Sequence, residues 1–496
     1  MATLRLFASI REIAGTNSLE VDANNVGDAI TEACARYGDD FAALVPSCRI
    51  WVNGNPAELT DSVTTQDEIA LLPPVSGGSL NHDSLNAPHT GLHIAILSLH
   101  TSPLAQPGTG DSGGMNVYIR EVASALAHRG ATCTVYVRKW DPELVNELEL
   151  EQGVHIVHIE AGEYELEKEE LYGIVDLFAD GVMKDLQNRK PIDIIHANYW
   201  LSGIVGHKLK HELNIPLVTT FHTLGETKKN SGFPEPTERL RAENEIIGCS
   251  DVIVANSANE QEQLCHLYDA NIDRVEIVPL GVEQALFSPG NPNAAKDALG
   301  LPNEPILLFI GRLQSLKGAD VAISTLQAMD HANATLVIVG GASGQEGSYY
   351  ESEIRDLANN LPVRKKVFFI PPQPHHILSS YYRAADIVIV PSRSESFGLV
   401  ALEAAACGVP VIASSVGGLQ NLVEDGKTGL LIKGWNPAEY AQAVNYLLSN
   451  PFKSTEIAMN AVEKAQAYTW GQTAGRLQEL YHSVCSTTLV ECRSSR

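Results

Sequence analysis

The pattern of hydrophobic and polar positions changes near residue 92. Before that point, the short segments TLRLFAS, SLEVDA and DEIALLPP have the character of half-buried strands, and VGDAITEACARYG has the apolar spacing of a helix. CRIWVNGNPAEL predicts two strands joined by an Asn-Gly turn. We therefore expect residues 1–78 to form a compact α+β domain.

From Leu92 onwards, continuous Val, Ile and Leu runs alternate with amphipathic helical segments. The first series is LHIAILSLH, ATCTVYVRK, VHIVHIEAG, IDIIHANYW, PLVTTFH, DVIVANS and VEIVPLG. The second is PILLFIGRL, ATLVIVGG, KVFFIPP, DIVIVPS, PVIASS and GLLIKGW. Such runs suit parallel strands buried on both faces. Two series predict two doubly wound, Rossmann-like α/β domains facing a cleft.

These changes of pattern divide the chain into five segments. We expect the α+β domain at 1–78, a polar linker at 79–91, the α/β domains at 92–290 and 291–466, and a helical tail at 467–496. The linker, SLNHDSLNAPHTG, is rich in Ser, Asn, Pro and His, as loops are.

Composition excludes some function classes. The 496 residues carry a net charge of −25, which argues against a nucleic-acid surface. No run of 18 apolar residues predicts a membrane span, and the start has no signal-peptide core, so we expect a cytoplasmic protein. The eight cysteines form no CxxC pair, and we interpret them as ordinary thiols of a reducing compartment.

A glycine-rich segment follows the first strand of the first α/β domain. HTSPLAQPGTGDSGGMNVY places Gly108, Gly110, Gly113 and Gly114 before a helix that we expect to begin near Asn116. Glycines let a backbone approach a ligand, and a helix N-terminus offers N–H groups to an anion. The alternative is a purely structural turn, because the spacing matches neither the dinucleotide fingerprint nor the P-loop.

A second segment, FIGRLQSLKGAD, follows the first strand of the second α/β domain. Arg312 and Lys317 lie five residues apart and can converge on a diphosphate, one as a planar fork and one as a point charge. The alternative is a solvated cationic loop.

The third segment, PSRSESFGLVALEAAACGVPVIASSVGGL, is the most specific. Glu395 precedes a helix predicted at 400–407, and Glu403 lies about one turn inside it. A carboxylate at this strand-to-helix crevice can accept two hydrogen bonds from a sugar diol. Backbone N–H groups that can bind further hydroxyls are those of Phe397, Gly398 and Leu399. The alternative is a pair of acidic residues near a helix N-terminus.

With HANYWLSGIVG and FHTL, these segments resemble family 4 retaining glycosyltransferases over about residues 92–480. The resemblance implies the two-Rossmann GT-B fold, with a tail that crosses back to the first domain. Within the family, the chain is similar to the mycothiol-pathway enzymes. These move N-acetylglucosamine from UDP-N-acetylglucosamine to 1D-myo-inositol 3-phosphate.

The resemblance implies a role for each donor residue. Arg312 and Lys317 would hold the donor diphosphate, which Gly114 would approach from the other domain. Glu403 would hold the ribose, and Gln373 would lie against the base. Glu395 and the N–H groups after it would hold the transferred hexose.

It also implies acceptor residues. The acceptor phosphate would be bound by Lys168, Tyr199, Thr223 and Arg239, with Arg241 as the alternative to Arg239. Asn116 would contact the inositol ring, and His222 would lie close to the anomeric carbon. Lys168 and Arg239 supply charge, and the two hydroxyls supply donors.

The expected chemistry is transfer with retention, without a cofactor or a metal. Arg312 and Lys317 would stabilise charge on the leaving diphosphate. No carboxylate is an evident nucleophile, so we favour a front-face route in which the departing phosphate takes the acceptor proton. Closure of the two domains would exclude water.

Other interpretations of the α/β part remain open. HTLG with RLRAEN also resembles sucrose-phosphate synthases, whose acceptor is fructose 6-phosphate. Family 4 includes enzymes with lipid and polysaccharide acceptors. An epimerase would not need Lys168 and Arg239, and a phosphorylase would need a pyridoxal-phosphate lysine that no motif indicates. A homodimer is compatible with each.

Residues 1–78 resemble the small sulfur-carrier subunit of molybdopterin synthase and the thiamine-pathway carrier, which are ubiquitin-like β-grasp proteins. The resemblance lies in LRLFASIREIAGT, the VNG turn and DEIALLPPVSGG. Those carriers use a free terminal Gly carboxylate, whereas Gly78, which follows Gly77, is bonded to Ser79.

Three readings of this domain remain open. A protease could free a working carrier after Gly78, whose partner would be a molybdopterin synthase large-subunit-like or E1-like protein. The domain could instead be a docking or solubilising module, or a fusion without a role. A related alternative is a carrier precursor whose α/β part serves as a scaffold.

Overall fold

The computed structural model describes most of the chain, and the predicted Gly77–Gly78 tail and most of the linker lie outside the described residues. The described residues are 2–6, 14, 16, 18–38, 41–42, 45, 48–53, 55–65, 67–72, 91–108, 110, 112–331, 333–343, 347–362 and 365–492. They form two compact units, one of 1–87, 283–289 and 374–380 and the other of 88–282, 290–373 and 381–496.

The first unit contains a five-stranded sheet and a helix, as the alternating segments predict. Its elements are β1 (Ala2–Leu6), β2 (Ser18–Val21), α1 (Val26–Tyr37), β3 (Arg49–Val52), β4 (Asn55–Pro56) and β5 (Glu68–Leu72). The strand order is β2-β1-β5-β3-β4, and only the β1–β5 pair is parallel among the described strands. The alternating inward side chains of β1, including Leu4 and Leu6, pack with Ile30 of α1 in one core. This is the β-grasp arrangement.

The second unit contains most of both predicted α/β domains. The strands of the first are β6 (His93–Ser98), β7 (Thr132–Arg138), β8 (Glu147–Glu151), β9 (Val154–Ile159), β10 (Ile194–Asn198), β11 (Leu217–Thr220), β12 (Val252–Ala255) and β13 (Val275–Ile277). They form one sheet in the order β13-β12-β11-β10-β6-β7-β9-β8. Every pair is parallel except β8–β9.

Helices cover this sheet and bury its two faces. They are α2 (Gly114–His128), α3 (Val175–Leu186), α4 (Tyr199–Leu213), α5 (Gly225–Asn230), α6 (Thr237–Cys249) and α7 (Ala258–Tyr268), with short 3-10 helices at Lys168–Ile174 and Ile272–Arg274. The apolar runs predicted as strands are almost wholly buried, as in β10 and β11.

The second α/β domain repeats the design with six parallel strands. They are β14 (Ile306–Ile310), β15 (Thr335–Val339), β16 (Lys366–Ile370), β17 (Ile387–Val390), β18 (Val411–Ser414) and β19 (Leu430–Ile432), in the order β16-β15-β14-β17-β18-β19. Their helices are α8 (Pro292–Ala298), α9 (Ala319–Ala328), α10 (Gly347–Asn359), α11 (His375–Ala384), α12 (Leu399–Ala406), α13 (Leu419–Leu422), α14 (Pro437–Ser449) and α15 (Pro451–Ala465), and Ser315–Lys317 is a 3-10 helix. α11 includes residues of both units.

The C-terminal helix α16 (Trp470–Cys485) returns to the first α/β domain and packs on α2. The hydroxyl of Tyr481 lies 2.7 Å from Nδ1 of His196, a buried residue of β10. In the described parts of the chain, no helix is both long enough and apolar enough to cross a membrane.

Two of the cysteines differ from the expectation of ordinary thiols. The structure joins the Sγ atoms of Cys249, at the end of α6, and Cys492, in the tail. Their sequence separation of 243 residues hides this proximity from any local pattern. The sequence alone did not reveal that these two cysteines lie together.

Strand order fixes where a ligand can bind. In the first sheet β6 lies between β10 and β7, and in the second β14 lies between β17 and β15. The chain leaves the central strands in opposite directions at these positions, so loops diverge and leave a crevice at the carboxyl ends. The predicted site residues come largely from loops after these strands.

Candidate active site

A cavity of about 570 Å³ lies between the two α/β domains. Its wall includes many of the residues predicted from the sequence. These are Gly114, Asn116, Lys168, Tyr199, His222, Thr223, Arg312, Lys317, Glu395, Phe397, Gly398 and Leu399. Segments more than 250 residues apart in sequence therefore meet around one cavity, as we expect for two Rossmann-like domains that face a cleft.

Two helix N-termini contribute to the cavity wall, one from each domain. α2 begins at Gly114 and α12 begins at Leu399, and both residues line the cavity. The first N–H groups of a helix lack intrahelical acceptors and carry the positive end of its dipole. The cavity is therefore suited to anionic groups from both sides.

The loop that carries Glu395 lies directly against the Gly417–Gly418 turn. Gly418 N donates to the Glu395 carbonyl at 2.9 Å. Gly417 has φ +48°, and a Cβ there would lie 1.8 Å from the Glu395 carbonyl oxygen. Only glycine fits this contact, which accounts for the SVGGL motif.

Arg312 and Lys317 approach the cavity as the spacing of GRLQSLKG predicts. A Cβ on Gly113 would lie only 3.5 Å from Arg312 Nε, so the guanidinium lies beside the N-terminus of α2. Lys317 Nζ lies 2.7 Å from Glu395 Oε2, which also accepts from Ser392 Oγ at 3.2 Å. The structure thus brings the predicted diphosphate cations and the first glutamate of the Glu-x7-Glu pair together.

Arg239 lies behind the cavity wall and is 1% exposed. Its guanidinium donates to Glu243 Oε1 and Glu235 Oε2, each at 2.8 Å. It also donates to the Thr223 carbonyl at 2.8 Å and the Tyr199 hydroxyl at 3.2 Å. The structure places Arg239 against two predicted acceptor residues, but in the packed interior and not on the cavity surface. The alternative, Arg241, is exposed and is not part of the cavity wall.

Tyr199 is the centre of a cationic group. Lys168 Nζ lies 5.5 Å and Arg239 Cζ 5.1 Å from the centroid of its ring. Burial raises the pKa of Tyr199, but the positive charges of Arg239, Lys168 and Lys228 outweigh burial and hold that pKa below its ordinary value. A site that favours an anionic phenol also favours an anionic ligand.

His222 is held in an uncommon backbone conformation, with φ +61°. Its Nε2 lies 2.9 Å from Asn198 Oδ1, and its ring packs edge-on against Tyr118 at 4.9 Å between centroids. Burial, helped by nearby His196, lowers the pKa of His222 to about 3. The imidazole is therefore neutral near pH 7. Tyr199 also has a positive φ, of +75°, and such strained residues concentrate at functional sites.

Two predicted donor residues, Glu403 and Gln373, are placed differently from the expectation. Glu403 is 3% exposed, accepts from Tyr382 Oη at 2.6 Å and is absent from the cavity wall, although we expected it to face the crevice. Burial raises its pKa to about 8. Gln373 is also outside the wall and donates to the Pro371 carbonyl at 2.9 Å.

Asn116 lines the cavity, but its amide is used within the protein. Its Oδ1 accepts from Gly113 N at 2.9 Å, and its Nδ2 donates to Thr101 Oγ1 at 2.6 Å and to the Ser102 carbonyl at 2.5 Å. These bonds brace the glycine-rich loop on the first turn of α2. The side-chain amide that we expected to contact the inositol ring is therefore engaged within the protein.

Sequence reasoning missed several polar residues of the wall, including Lys228, Asn256 and Glu260. Glu260 is buried, and burial raises its pKa to about 7 against the hydrogen bond donated by Asn256 N. Asn256 directly follows β12, so the rule that polar residues gather at the carboxyl ends of parallel strands could have found it. Lys228 lies on α5, a helix that the sequence pattern did not reveal. Its Nζ lies 2.8 Å from Glu235 Oε1.

Three family models match the chain. Residues 112–286 match "Glycosyltransferase Family 4", residues 291–467 match "Glycosyl transferases group 1", and residues 4–78 match the "ThiS family". The first two matches cover the two α/β domains that form the cavity. The third ends at Gly78.

Curated relatives are similar over most of their own length. A D-inositol 3-phosphate glycosyltransferase of Thermomonospora curvata is 42% identical over 408 residues, which is 78% of this chain and 94% of the relative. A D-inositol 3-phosphate glycosyltransferase of Corynebacterium glutamicum is 40% identical, over 81% of this chain and 99% of the relative.

Solved structures give the same fold. The sucrose-phosphate synthase of Thermosynechococcus elongatus superposes with a TM-score of 0.74 at 32% identity, over 79% of this chain and 99% of that one. Anabaena HepE in complex with UDP and glucose has a TM-score of 0.65 at 21% identity, over 79% and 100%, which supports the fold alone. The chain belongs to glycosyltransferase family 4, and it is a hexosyltransferase of GT-B fold with a ThiS-like β-grasp domain at its N-terminal end.

Proposed function

We propose that the chain transfers N-acetylglucosamine from UDP-N-acetylglucosamine to 1D-myo-inositol 3-phosphate, with retention at the anomeric carbon and in the cytoplasm. The observation that carries the proposal is that Lys168 and Lys228 line the first-domain wall beside Tyr199, with Arg239 packed behind it, in a chain whose net charge is −25. Positive charge concentrated there suits a phosphorylated acceptor. The similarity to D-inositol 3-phosphate glycosyltransferases supports the inositol acceptor.

The donor diphosphate would lie between the N-termini of α2 and α12, within reach of Arg312 and Lys317. These groups are held in place before the reaction, so they stabilise the charge that develops as the diphosphate leaves without reorganising. Lys317 would exchange its contact with Glu395 for a phosphate oxygen. The freed carboxylate would then accept hydrogen bonds from the hexose.

A front-face route suits this geometry. Glu395, the acidic residue of the Glu-x7-Glu pair on the wall, would be accepting hydrogen bonds from hexose hydroxyls in the donor complex, a role that leaves it poorly placed as a nucleophile. In the proposed step the anomeric C–O bond to the diphosphate breaks as the acceptor oxygen bonds to the same face. The acceptor proton passes to the departing phosphate oxygen, so charge and atoms balance. Neutral His222 would contact the hexose without changing the charge of the site.

The test is release of nucleoside diphosphate by the purified chain. UDP-N-acetylglucosamine, UDP-glucose and GDP-mannose are each combined with inositol 3-phosphate and with fructose 6-phosphate. Release with UDP-N-acetylglucosamine and inositol 3-phosphate alone is the expected result. Release only with another pair would contradict the substrates, and an inverted product anomer in the NMR spectrum would contradict retention.

A second acceptor is favoured by one observation. The sucrose-phosphate synthase structure is 32% identical with a TM-score of 0.74. Fructose 6-phosphate is also a phosphorylated polyol that the same cations could bind. Release of UDP from UDP-glucose with fructose 6-phosphate would support this function in place of the first.

The N-terminal domain carries a separate proposal. We propose that hydrolysis after Gly78 frees residues 1–78 as a sulfur carrier, because the ThiS match ends at that residue. Whether or not cleavage occurs, we propose that the α/β domains extend over 92–290 and 291–466 and that residues 467–496 form the returning tail. The intact mass of the chain isolated from its own cells tests cleavage. A fragment beginning at Ser79 is expected, and a persistently intact chain would favour a docking module or a fusion without a role.

A further inference from the structure

Two histidines lie one helical turn apart on the outer face of α4. His207 and His211 have the i, i+4 spacing that places side chains on the same side of a helix. Their ring centroids are 5.0 Å apart, with His207 half-buried and His211 exposed. The pair lies away from the catalytic cavity, whose wall contains neither residue.

Two cysteine sulfurs converge on the same pair of rings. His211 Nε2 lies 2.9 Å from Cys492 Sγ and 3.3 Å from Cys249 Sγ, and His207 Nε2 lies 3.4 Å from Cys492 Sγ. One nitrogen or sulfur from each of the four residues lies within 4.8 Å of every other. We expected no metal from the sequence, and that expectation did not anticipate this group.

The surroundings hold both cysteines in place. Lys210 Nζ donates to the Cys249 carbonyl at 2.7 Å and lies 2.8 Å from Asp251 Oδ2, in a buried ion pair. The other carboxylate oxygen of Asp251 accepts from Val490 N at 2.7 Å. The tail is thus bound two residues before Cys492, so its thiol is directed to the histidines by the fold.

We propose that His207, His211, Cys249 and Cys492 form a binding site for one divalent cation of the zinc class when the two thiols are reduced. Two imidazole nitrogens and two thiolates are one of the tetrahedral ligand sets of structural zinc, with ligand atoms about 3.3–3.8 Å apart. The nitrogen–sulfur distances of 2.9–3.4 Å are close to that arrangement. Binding displaces one proton from each thiol and forms two metal–sulfur and two metal–nitrogen bonds.

The site has a structural and not a catalytic composition, because four protein ligands leave no position open for substrate. Its ligands come from α4, the end of α6 and the tail after α16. The cation would therefore fasten the C-terminal tail to the first α/β domain.

A disulfide is the competing chemistry, since the structure joins the two sulfurs. Forming it removes two electrons and two protons from the thiols and requires an oxidant, and it gives no role to the histidines. A cation site needs all four residues. Histidine variants therefore separate the two chemistries.

The experiment uses the full chain, purified with a phosphine reductant and then dialysed against Zn²⁺ without chelator. Metal content is measured by mass spectrometry of the elements, and Co²⁺ is substituted to record its visible absorption. The variants are His211→Asn and Cys492→Ser. The matched controls are His482→Asn and Cys485→Ser, exposed residues of α16, the helix that precedes the tail.

About one Zn²⁺ per chain is expected in the wild type and in both controls, with the intense tetrahedral Co²⁺ spectrum and sulfur-to-metal charge transfer. His211→Asn and Cys492→Ser should each lower the affinity at least about tenfold. A reduced wild-type chain without bound metal would overturn the proposal. So would a His211→Asn variant that binds as tightly as the control.

Discussion

At Arg239, five hydrogen bonds converge on one buried guanidinium. Two of its partners are carboxylates, and Glu243 is completely buried. Removing the guanidinium would leave that carboxylate uncompensated, at a cost of about 3–5 kcal/mol. Arg239→Ala would therefore mix a loss of folding stability with any loss of acceptor binding, and Lys168 is the better probe.

Lys168→Ala is expected to raise the KM for the phosphorylated acceptor about 10- to 100-fold, because a charge-assisted hydrogen bond contributes about 1.5–3 kcal/mol. Slow donor hydrolysis without acceptor should change little. Steady-state kinetics with and without acceptor check this. Lys184→Ala, at an exposed lysine of the same domain, is the control. An equal loss of both activities would contradict a role for Lys168 in acceptor binding.

The buried carboxyl of Glu403 makes a prediction about pH. Burial raises its pKa from 4.5 to about 8, although Tyr382 donates a hydrogen bond to it. Between those pH values the folded chain holds a proton that the unfolded chain has lost. The contribution of this group is complete below about pH 4.5 and declines as pH rises towards 8.

Glu403→Gln should remove that part of the pH dependence. Going from about pH 5 to about pH 8, the wild type should lose about 1–4 kcal/mol more unfolding free energy than the variant. Urea unfolding at both pH values measures the difference. Glu262→Gln, at an exposed site, should follow the wild type. Parallel pH profiles for Glu403→Gln and the wild type would show that the buried carboxyl does not titrate as described.

At the scale of elements, the site depends on how two loops of the second domain fit together. The residue before α12, Gly398, has φ +107°, and a Cβ there would lie 2.6 Å from Leu419 of α13. The Gly417–Gly418 turn supports the Glu395 carbonyl. The loop geometry therefore follows from backbone contacts that side chains would prevent.

Gly417→Ala tests this fit, with Gly426→Ala as its matched control. Both glycines have positive φ, +48° and +73°, but only the Gly417 methyl would meet backbone, since Gly426 has nothing within 4 Å. The control should lose about 1 kcal/mol of unfolding free energy from φ strain alone. Gly417→Ala should lose more and should also weaken UDP-sugar binding by calorimetry. Equal effects of the two substitutions would show that the Glu395 contact does not matter.

The same scale shows what hydrophobic patterns can predict. The buried runs predicted most strands of both α/β domains, because continuous apolar runs have few alternatives in a parallel sheet. They missed β8, whose sequence ELELE alternates charge with leucine and forms an antiparallel edge. Edge strands expose one face and pair on one side only, so their pattern resembles a polar loop.

At the scale of the molecule, hydrogen bonds cross the cleft between the α/β domains. Ser396 Oγ donates to the His222 carbonyl, and Ser257 Oγ donates to the Ser396 carbonyl at 3.0 Å. These bonds join the loop before α12 in the second domain to residues that follow β11 and β12 in the first. They are well placed to stabilise the closed cleft.

Ser396→Ala is expected to lower kcat about 2- to 10-fold, the equivalent of one hydrogen bond of about 0.5–1.5 kcal/mol. The melting temperature should hardly change, because each domain keeps its own core. Ser394→Ala, which alters a neighbouring serine of the cavity wall, is the control. An unchanged kcat in Ser396→Ala would mean that this bond does not contribute to closure during turnover.

The sequence by itself determined the β-grasp and GT-B architecture and identified twelve of the residues that line the cavity. Hydrophobic periodicity follows burial directly, and motifs such as Glu-x7-Glu and SVGGL are local. Only the tertiary structure decided that Arg239 and Glu403 are buried, that Asn116 braces a loop, and that His207, His211, Cys249 and Cys492 meet. Burial of a single polar side chain and contacts across 200 or more residues depend on how whole elements pack, and no local spacing encodes that packing.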